Sequence, residues 1–372
     1  MTWSVPFVAF GEQFRRQEAE LMATIHSVLA GGDLIMRRHL VEFEEHLAEF
    51  VGTAHAVGVS NCTDALRLLG HALGIGPGDE VVTVSHTFVA TISPFKLAGA
   101  TPVLVDVGDD HNMDPAALEG ALTERTRLVV PVHLNGRACR MDAIQAAADG
   151  VGAIVVEDAA QALGARYQGQ RAGTFGLAAV YSFYPAKLLG ALGDAGALVT
   201  DDLSLAEEIR ALRDHGRINK TDLAGWGFNC RLDNLQAAVL GLRLGMLPGW
   251  IERRRELAAR YYAILGDHPG VVTLPPPDDG VHFDVFQNYP VQVAHRDEVV
   301  QELTDLGIET MVSWPIPIHH QKALGLEFDL PKTEEICRTV VSLPLFPELS
   351  DQQVDDVATT LAEVCSEPRG GV

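Results

Sequence analysis

Short apolar runs alternate with amphipathic stretches through the first two thirds of the chain. Residues 12 to 50 are helix-like, with Phe43, Leu47 and Phe50 recurring at helical spacing. From residue 55 the period changes. Residues 55–59, 80–84, 101–107, 127–132, 153–157, 178–183 and 196–200 read as strands, with helices over 63–73 and 88–98. Val- and Ile-rich runs separated by helices predict a largely parallel sheet covered on both faces. Thr63 stands where it can cap its helix, and a glycine-proline-glycine run beyond Leu73 ends that helix.

A helical pattern over 203–215 ends at His215-Gly216, and an irregular stretch follows to Cys230. The long helical region over 233–265 contains Pro248, which predicts a break or kink there. After the proline-rich loop at 275–280 comes a β-α-β-like unit, with strands over 287–293 and 308–314 around a helix over 297–306. A terminal helix covers 351–364. The expected fold is α/β. A large domain, 1–248, carries an N-terminal helical segment and a mostly parallel sheet flanked by helices. A smaller C-terminal α+β domain covers 249–372.

Composition narrows the function. With 47% hydrophobic and 21% charged residues, the 372-residue chain can bury a sizeable core. Its formal charge of −22 argues against nucleic acid or an anionic membrane as partner, since both need a basic surface. The five cysteines are scattered without a C-x-x-C pair, as expected of reduced cytosolic thiols. The start, Met1-Thr2-Trp3-Ser4-Val5-Pro6, lacks a signal-peptide pattern, and no apolar run approaches a membrane span. A cytoplasmic protein is expected.

Familiar motifs fail on context. Gly74-Ile75-Gly76-Pro77-Gly78-Asp79 leaves a helix and enters a strand, the reverse of a phosphate loop. His319-His320 could suggest a metal, but adjacent side chains diverge and no carboxylate or cysteine shares a helical face with them, so no metal is expected.

Three strand ends carry chemistry. Ser60-Asn61-Cys62-Thr63-Asp64 turns a strand into a helix, where free N–H groups and the Thr63 hydroxyl suit a phosphate; a plain N-cap would look the same. Val155-Val156-Glu157-Asp158 puts an acid at the end of an apolar strand, costly to bury without a cation unless it caps the next helix. Tyr181-Ser182-Phe183-Tyr184-Pro185-Ala186-Lys187 follows a strand with one lysine, and Pro185 opposes a helical start. In isolation Lys187 reads as a surface lysine; the order and spacing of all three point to pyridoxal phosphate (PLP).

Those blocks make the chain resemble the DegT/DnrJ/StrS sugar aminotransferases, PLP enzymes of fold type I. The likeness runs from Val5-Pro6-Phe7 to Ser342-Leu343-Pro344-Leu345, through Glu157-Asp158-Ala159-Ala160-Gln161, Ser182-Phe183-Tyr184-Pro185 with Lys187, and Asn229 with Arg231-Leu232-Asp233. The resemblance implies that Lys187 is the aldimine lysine and that Asp158 pairs with the pyridinium. Gln161 should reach the ring hydroxyl and Phe88 should stack on the ring. Thr63, the Asp64 backbone and Ser182 should hold the phosphate, with Asn229 reaching it from the other subunit of a homodimer. Asn61-Cys62, Asn135 and Ala186 depart from the family's usual residues without removing a needed group.

The family's activity implies an amino acid donor, glutamate foremost, and a nucleotide-linked keto-deoxysugar acceptor. Arg231, Lys220, Arg37 and His319 are candidates for substrate contact. An aminocyclitol ketone as acceptor is a competing reading, and a non-catalytic regulator that keeps the fold is another. A related branch that dehydrates sugars carries His in place of the lysine, which Lys187 argues against.

Overall fold

The computed structural model describes residues 3–366; Met1, Thr2 and residues 367–372, the ends of both expected domains, lie outside the described residues. Two N-terminal helices, α1 (Phe10–Gly31) and α2 (Arg38–Val51), replace the single helical region expected over 12–50. The chain breaks between them because Gly32 adopts φ +71°, a left-handed cap that ends α1.

The central sheet has seven strands, β1 (His55–Val59), β2 (Glu80–Val84), β3 (Thr101–Val105), β4 (Thr126–Val129), β5 (Ile154–Asp158), β8 (Ala178–Ser182) and β9 (Gly196–Thr200), in the order β1-β9-β8-β5-β4-β2-β3. Between β5 and β8 the short strands β6 (Arg166–Tyr167) and β7 (Gln170–Arg171) form a side hairpin. Only β9 runs against its neighbours, pairing antiparallel with both β8 and β1. Period-two alternation divides the core. Val82, Val84, Val155 and Val199 pack on one face with Phe43 and Leu47 of α2, while Val81, Val156, Val180 and Leu198 pack on the other. On that second face lies α3 (Cys62–Ala72), whose Leu66 and Leu69 are fully buried.

Helices α4 (Ser93–Leu97), α5 (Pro115–Ala121), α6 (Met141–Val151) and α7 (Leu203–Leu212) complete the layers. The helix expected over 88–98 is divided into a 3-10 turn, Val89–Thr91, and α4, because Pro94 starts a new helix. The cap of α3 is Asn61 rather than Thr63, with the Asn61 side chain accepting from the Asp64 N–H at 2.8 Å. Its approach to β9 is close. A Cβ on Gly196 would sit 2.6 Å from the Cys62 nitrogen, so only glycine fits there.

Helix α8 (Asn234–Leu265) is continuous through Pro248, where a break or kink was expected. Its Ala237, Leu240, Leu244 and Leu247 belong to the core beside the large sheet. Its Leu257, Ala258, Tyr261 and Leu265 belong to the C-terminal core. Residue 248, where a domain boundary was expected, lies inside this helix, which contributes to both cores. The C-terminal unit holds the sheet β10 (Val271–Thr273), β12 (Tyr289–Val293) and β13 (Val340–Leu343), ordered β10-β12-β13, with α9 (Arg296–Asp305), α10 (Pro331–Thr339) and α11 (Asp351–Ser366). A short β11 (His282–Phe283) pairs with β6. The strand expected over 308–314 is absent apart from isolated bridges at Ile308 and Met311, and β13 takes its place beside β12. Trp314 at φ +50° and the following Pro315 end any ladder there. Among the described residues no helix is long and apolar enough to cross a membrane.

A buried ion pair fastens the first layer. At the end of α7, Arg213 donates from Nη1 to Glu44 of α2 and to the Gly58 carbonyl (2.6 Å), and Glu44 accepts from the Gly58 N–H at 2.8 Å. Arg213→Ala would leave the buried Glu44 carboxylate without its cation. A loss of about 3–5 kcal/mol is expected in urea unfolding, and a loss under about 1 kcal/mol would show the pair to be dispensable.

Candidate functional site

A cavity of about 690 Å³ opens where β5 and β8 end and α3 begins. Its walls come from both units. Asn61, Cys62 and Thr63 begin α3; Thr87, Phe88 and Thr91 follow β2; Asp158, Gln161, Ser182 and Lys187 follow β5 and β8. Trp250 and Arg254 of α8, with Gln287, Asn288 and Trp314, close the far side. A parallel sheet gathers its strand ends on one edge, which is where such folds bind ligands.

Two adjacent acids end β5, and alternation sends them opposite ways. Glu157 faces away from the cavity and is saturated: it accepts from the N–H groups of Gly173, Phe175 and Gly176 and pairs with His133 Nε2 at 2.8 Å. Asp158 lines the cavity. It is 5% exposed, with Oδ2 accepting from Thr91 Oγ1 at 2.8 Å and Oδ1 from the Ala160 N–H at 3.1 Å. Burial pushes its carboxyl above the usual carboxylate range, against those hydrogen bonds and the charge of Lys187. Among the described residues no ion pair reaches it. A buried acceptor that lines the cavity and has no ion-pair partner fits a protonated ring nitrogen.

Lys187 sits in a tight turn, its N–H bonded to the Tyr184 carbonyl at 2.8 Å. The C-terminal unit fixes that turn. Gln287 accepts from the Leu188 N–H (2.8 Å) and donates to the Ala186 carbonyl (2.9 Å), gripping the backbone on both sides of the lysine. Burial drives the Lys187 ammonium pKa down, opposed by Asp158 and Cys62. A larger share of its amine is therefore neutral, the form able to condense with an aldehyde.

Gln161 accepts from the Asn135 N–H at 2.7 Å, which leaves its amide NH2 for the cavity. At α3 the first-turn N–H groups of Cys62 and Thr63 have no helical carbonyl to bond, and an anion fits there. The Asp64 N–H, expected to bind phosphate, is already taken by Asn61, and its carboxylate is held by Ser60 and Asn61. Phe88 lines the cavity and is 58% exposed, so it is not a core aromatic. The residues present thus fit PLP: a cation partner, an amine and an anion-binding turn around one space.

The remaining candidates lie elsewhere in this chain. Asn229 is exposed and does not line the cavity. Arg231 pairs with Asp214 at 2.9 Å, Arg37 makes an exposed pair with Asp33, and Lys220 is exposed. His319 is buried against Ser85, outside the cavity. Thr91, Asn61, Gln287 and Asn288 went unrecognised in the sequence. For Thr91 a signal existed, a hydroxyl one helical turn beyond Thr87, whose Oγ1 lies 2.9 Å from it.

The chain is similar to known proteins over nearly its whole length. A model of the DegT/DnrJ/EryC1/StrS aminotransferase family matches residues 15–362. A Streptomyces venezuelae protein named dTDP-3-amino-3,4,6-trideoxy-alpha-D-glucose transaminase is 42% identical over 367 residues, covering 96% of each chain. The Pseudomonas aeruginosa UDP-2-acetamido-2-deoxy-3-oxo-D-glucuronate aminotransferase is 38% identical over 359 residues, covering 96% of this chain and 99% of its own. The crystal structure of S. venezuelae DesV in complex with a ketimine intermediate superposes with a TM-score of 0.95 at 41% identity, covering 99% of this chain and 100% of that one.

The Thr91 hydroxyl offers a test of the electrostatics. Thr91→Val keeps the shape but removes a donor that favours the charged Asp158, so the Asp158 pKa should rise further. The carboxyl then stays protonated to higher pH, and the acid limb of the pH titration of cofactor absorbance should move upward in pH. An unmoved or downward-shifted limb would show that Thr91 does not tune Asp158.

Proposed function

We propose that this chain, which belongs to the DegT/DnrJ/EryC1/StrS aminotransferase family, moves an amino group from glutamate to carbon 3 of a nucleotide-linked keto sugar. The observation that carries the reading is the convergence of Lys187, Asp158, Gln161, Ser182 and the start of α3 on one cavity. Carbon 3 is favoured because the two relatives named above carry a 3-amino and a 3-oxo sugar in their names.

Bound PLP supplies an electron-withdrawing ring joined to an aldehyde carbon. Lys187 would be the residue that holds the cofactor through its amine, and as a free amine it would carry the proton at the substrate carbon, as base and then as acid. Asp158 would keep the ring nitrogen protonated, the Gln161 amide would serve the ring hydroxyl, and Phe88 would cover the ring. Ser182 and the N–H groups that start α3 would hold the phosphate.

The direct experiment loads the enzyme with its amine form and offers 3-keto and 4-keto sugars linked to dTDP or UDP, and a cyclitol ketone. Turnover of a 3-keto nucleotide sugar at least about tenfold above the others is expected, roughly 1.4 kcal/mol of barrier. Preference for the cyclitol ketone would move the acceptor out of the nucleotide sugars. Turnover of none would favour the regulator reading.

We further infer a homodimer with shared sites. Among the described residues the only cations lining the cavity are Lys187 and Arg254, and Arg254 is spent on the carbonyls of Phe286 (2.9 Å) and Leu345 (2.7 Å). A diphosphate needs cations from elsewhere. Lys220 is on the loop over 216–227, with Asn229 and Arg231 just beyond it in the chain; the loop, closed by a bridge between Arg217 and Leu223, exposes Ile218, Leu223 and Trp226, the last to 94%. Exposed apolar groups of that size suit a second copy of the chain. Asn229→Asp would repel the cofactor phosphate, and Lys187→Ala would remove the amine. Each variant alone should be inactive. Unfolded together at equal concentration and refolded, about half the dimers are mixed and roughly a quarter of all sites should recover. A mixture that stays dead while wild type refolds would place Asn229 at its own subunit's site.

A further inference from the structure

Beyond Trp314 the chain makes a 3-10 turn, Ile318–His320, that lies against α10. Glu334, on the first turns of α10, points one carboxylate oxygen at both histidines: Oε1 lies 3.4 Å from His319 Nε2 and 3.4 Å from His320 Nε2. The two imidazole rings are 4.2 Å apart between centroids and tilted by 53°, so adjacent residues aim at a shared point. One nitrogen from each ring and one carboxylate oxygen all lie within 4.8 Å of one another. The sequence argument that neighbouring side chains diverge fails because the tight turn brings the rings together. The carboxylate comes from an element fourteen residues downstream, where no helical spacing could reveal it.

We propose that His319, His320 and Glu334 bind a divalent transition-metal ion of the zinc class, with solvent water as the remaining ligand. Two imidazoles and a carboxylate are a donor set that such ions prefer over magnesium or calcium. With bonds of about 2.0–2.1 Å, donor atoms around a tetrahedral ion stand about 3.3–3.4 Å apart. Both nitrogen–oxygen separations here are already of that length.

The donors are held from behind. His319 Nδ1 lies 2.7 Å from Ser85 Oγ, and Ser85 follows β2. A proton on Nδ1, donated to Ser85, leaves the Nε2 lone pair for the ion, the arrangement that orients metal-bound histidines. α10 is anchored to β3 through Asp106, which accepts from the N–H groups of Lys332 (2.9 Å) and Thr333 (2.8 Å). Side-chain exposure runs from 0% at His319 to 28% at Glu334 and 50% at His320, so one side of the group is open to water. Glu327 and Asp329 border the same depression and add negative potential. Bound metal would lock the turn to α10 and so fasten the segment that carries Trp314 into the cavity wall.

The test uses PLP-loaded full-length protein, stripped by chelator and titrated with zinc chloride against a chromophoric competitor. One equivalent per chain is expected. Zinc should also raise the Tm of wild type, since an ion that binds only the folded state stabilises it. His320→Ala and Glu334→Gln, both at partly exposed positions, should each weaken binding by at least about tenfold and lose the Tm rise. Ser85→Ala should weaken it by about tenfold through His319. Unchanged cofactor absorbance in each variant shows that the fold is kept. Zinc uptake that is absent in wild type, or equal in wild type, His320→Ala and Glu334→Gln, would overturn the site and leave a carboxylate hydrogen-bonded to two imidazoles. Neither outcome depends on which acceptor the enzyme uses.

Discussion

Taking one carboxylate out of water organises this molecule. Asp158 sits at the buried end of an apolar strand, and its charged form is tolerable only with hydrogen bonds and a cation. The protein provides the hydrogen bonds, from Thr91 and Ala160, and in the proposed function the cation comes from the bound cofactor. The neighbouring acid shows the alternative. Glu157 is buried as deeply but is completed by three backbone N–H groups and His133, so it can hold structure and do no chemistry. Strand alternation alone separates the two roles.

The cavity is a joint product of two cores. Helix α8 runs from one to the other without interruption, and Arg254 on it ties together carbonyls of the C-terminal segment. Burial holds the Arg254 pKa down to about 10, still far above neutrality, so it stays a cation that is already committed. The chain thus carries a net charge of −22 and offers an anionic substrate little positive charge from within its own cavity. In the shared-site proposal the missing charge comes from a second copy, by way of the loop bearing Lys220 and the neighbouring Arg231 and Asn229.

Much of this was legible in the sequence, because hydrophobic period reports burial directly. All seven strands of the large sheet were located to within a few residues, and Lys187, Asp158, Gln161, Ser182 and Thr63 do meet in one cavity. What was missed shares a cause. The Asn61 cap, the Gln287 grip and the Glu334 carboxylate depend on tertiary proximity, to which local pattern is blind. The strand expected over 308–314 failed because apolar residues there pack without a ladder: Trp314 turns left-handed and β13 supplies the partner instead. Pro248 misled in the opposite sense. A proline removes one helical N–H, and the packing of α8 against two cores outweighs that loss.

The grip of Gln287 on the turn around Lys187 also bears on how such proteins can be recombined. The C-terminal unit supplies walls of the substrate cavity, which makes it an obvious module to exchange when a new acceptor is wanted. Yet its Gln287 amide holds the backbone at Ala186 and Leu188 in place. A chimera that imports a foreign C-terminal unit therefore re-aims Lys187 along with the pocket. Grafts that keep Gln287 with its flanking loop would separate the two, leaving selectivity free to drift while the lysine keeps its bearing.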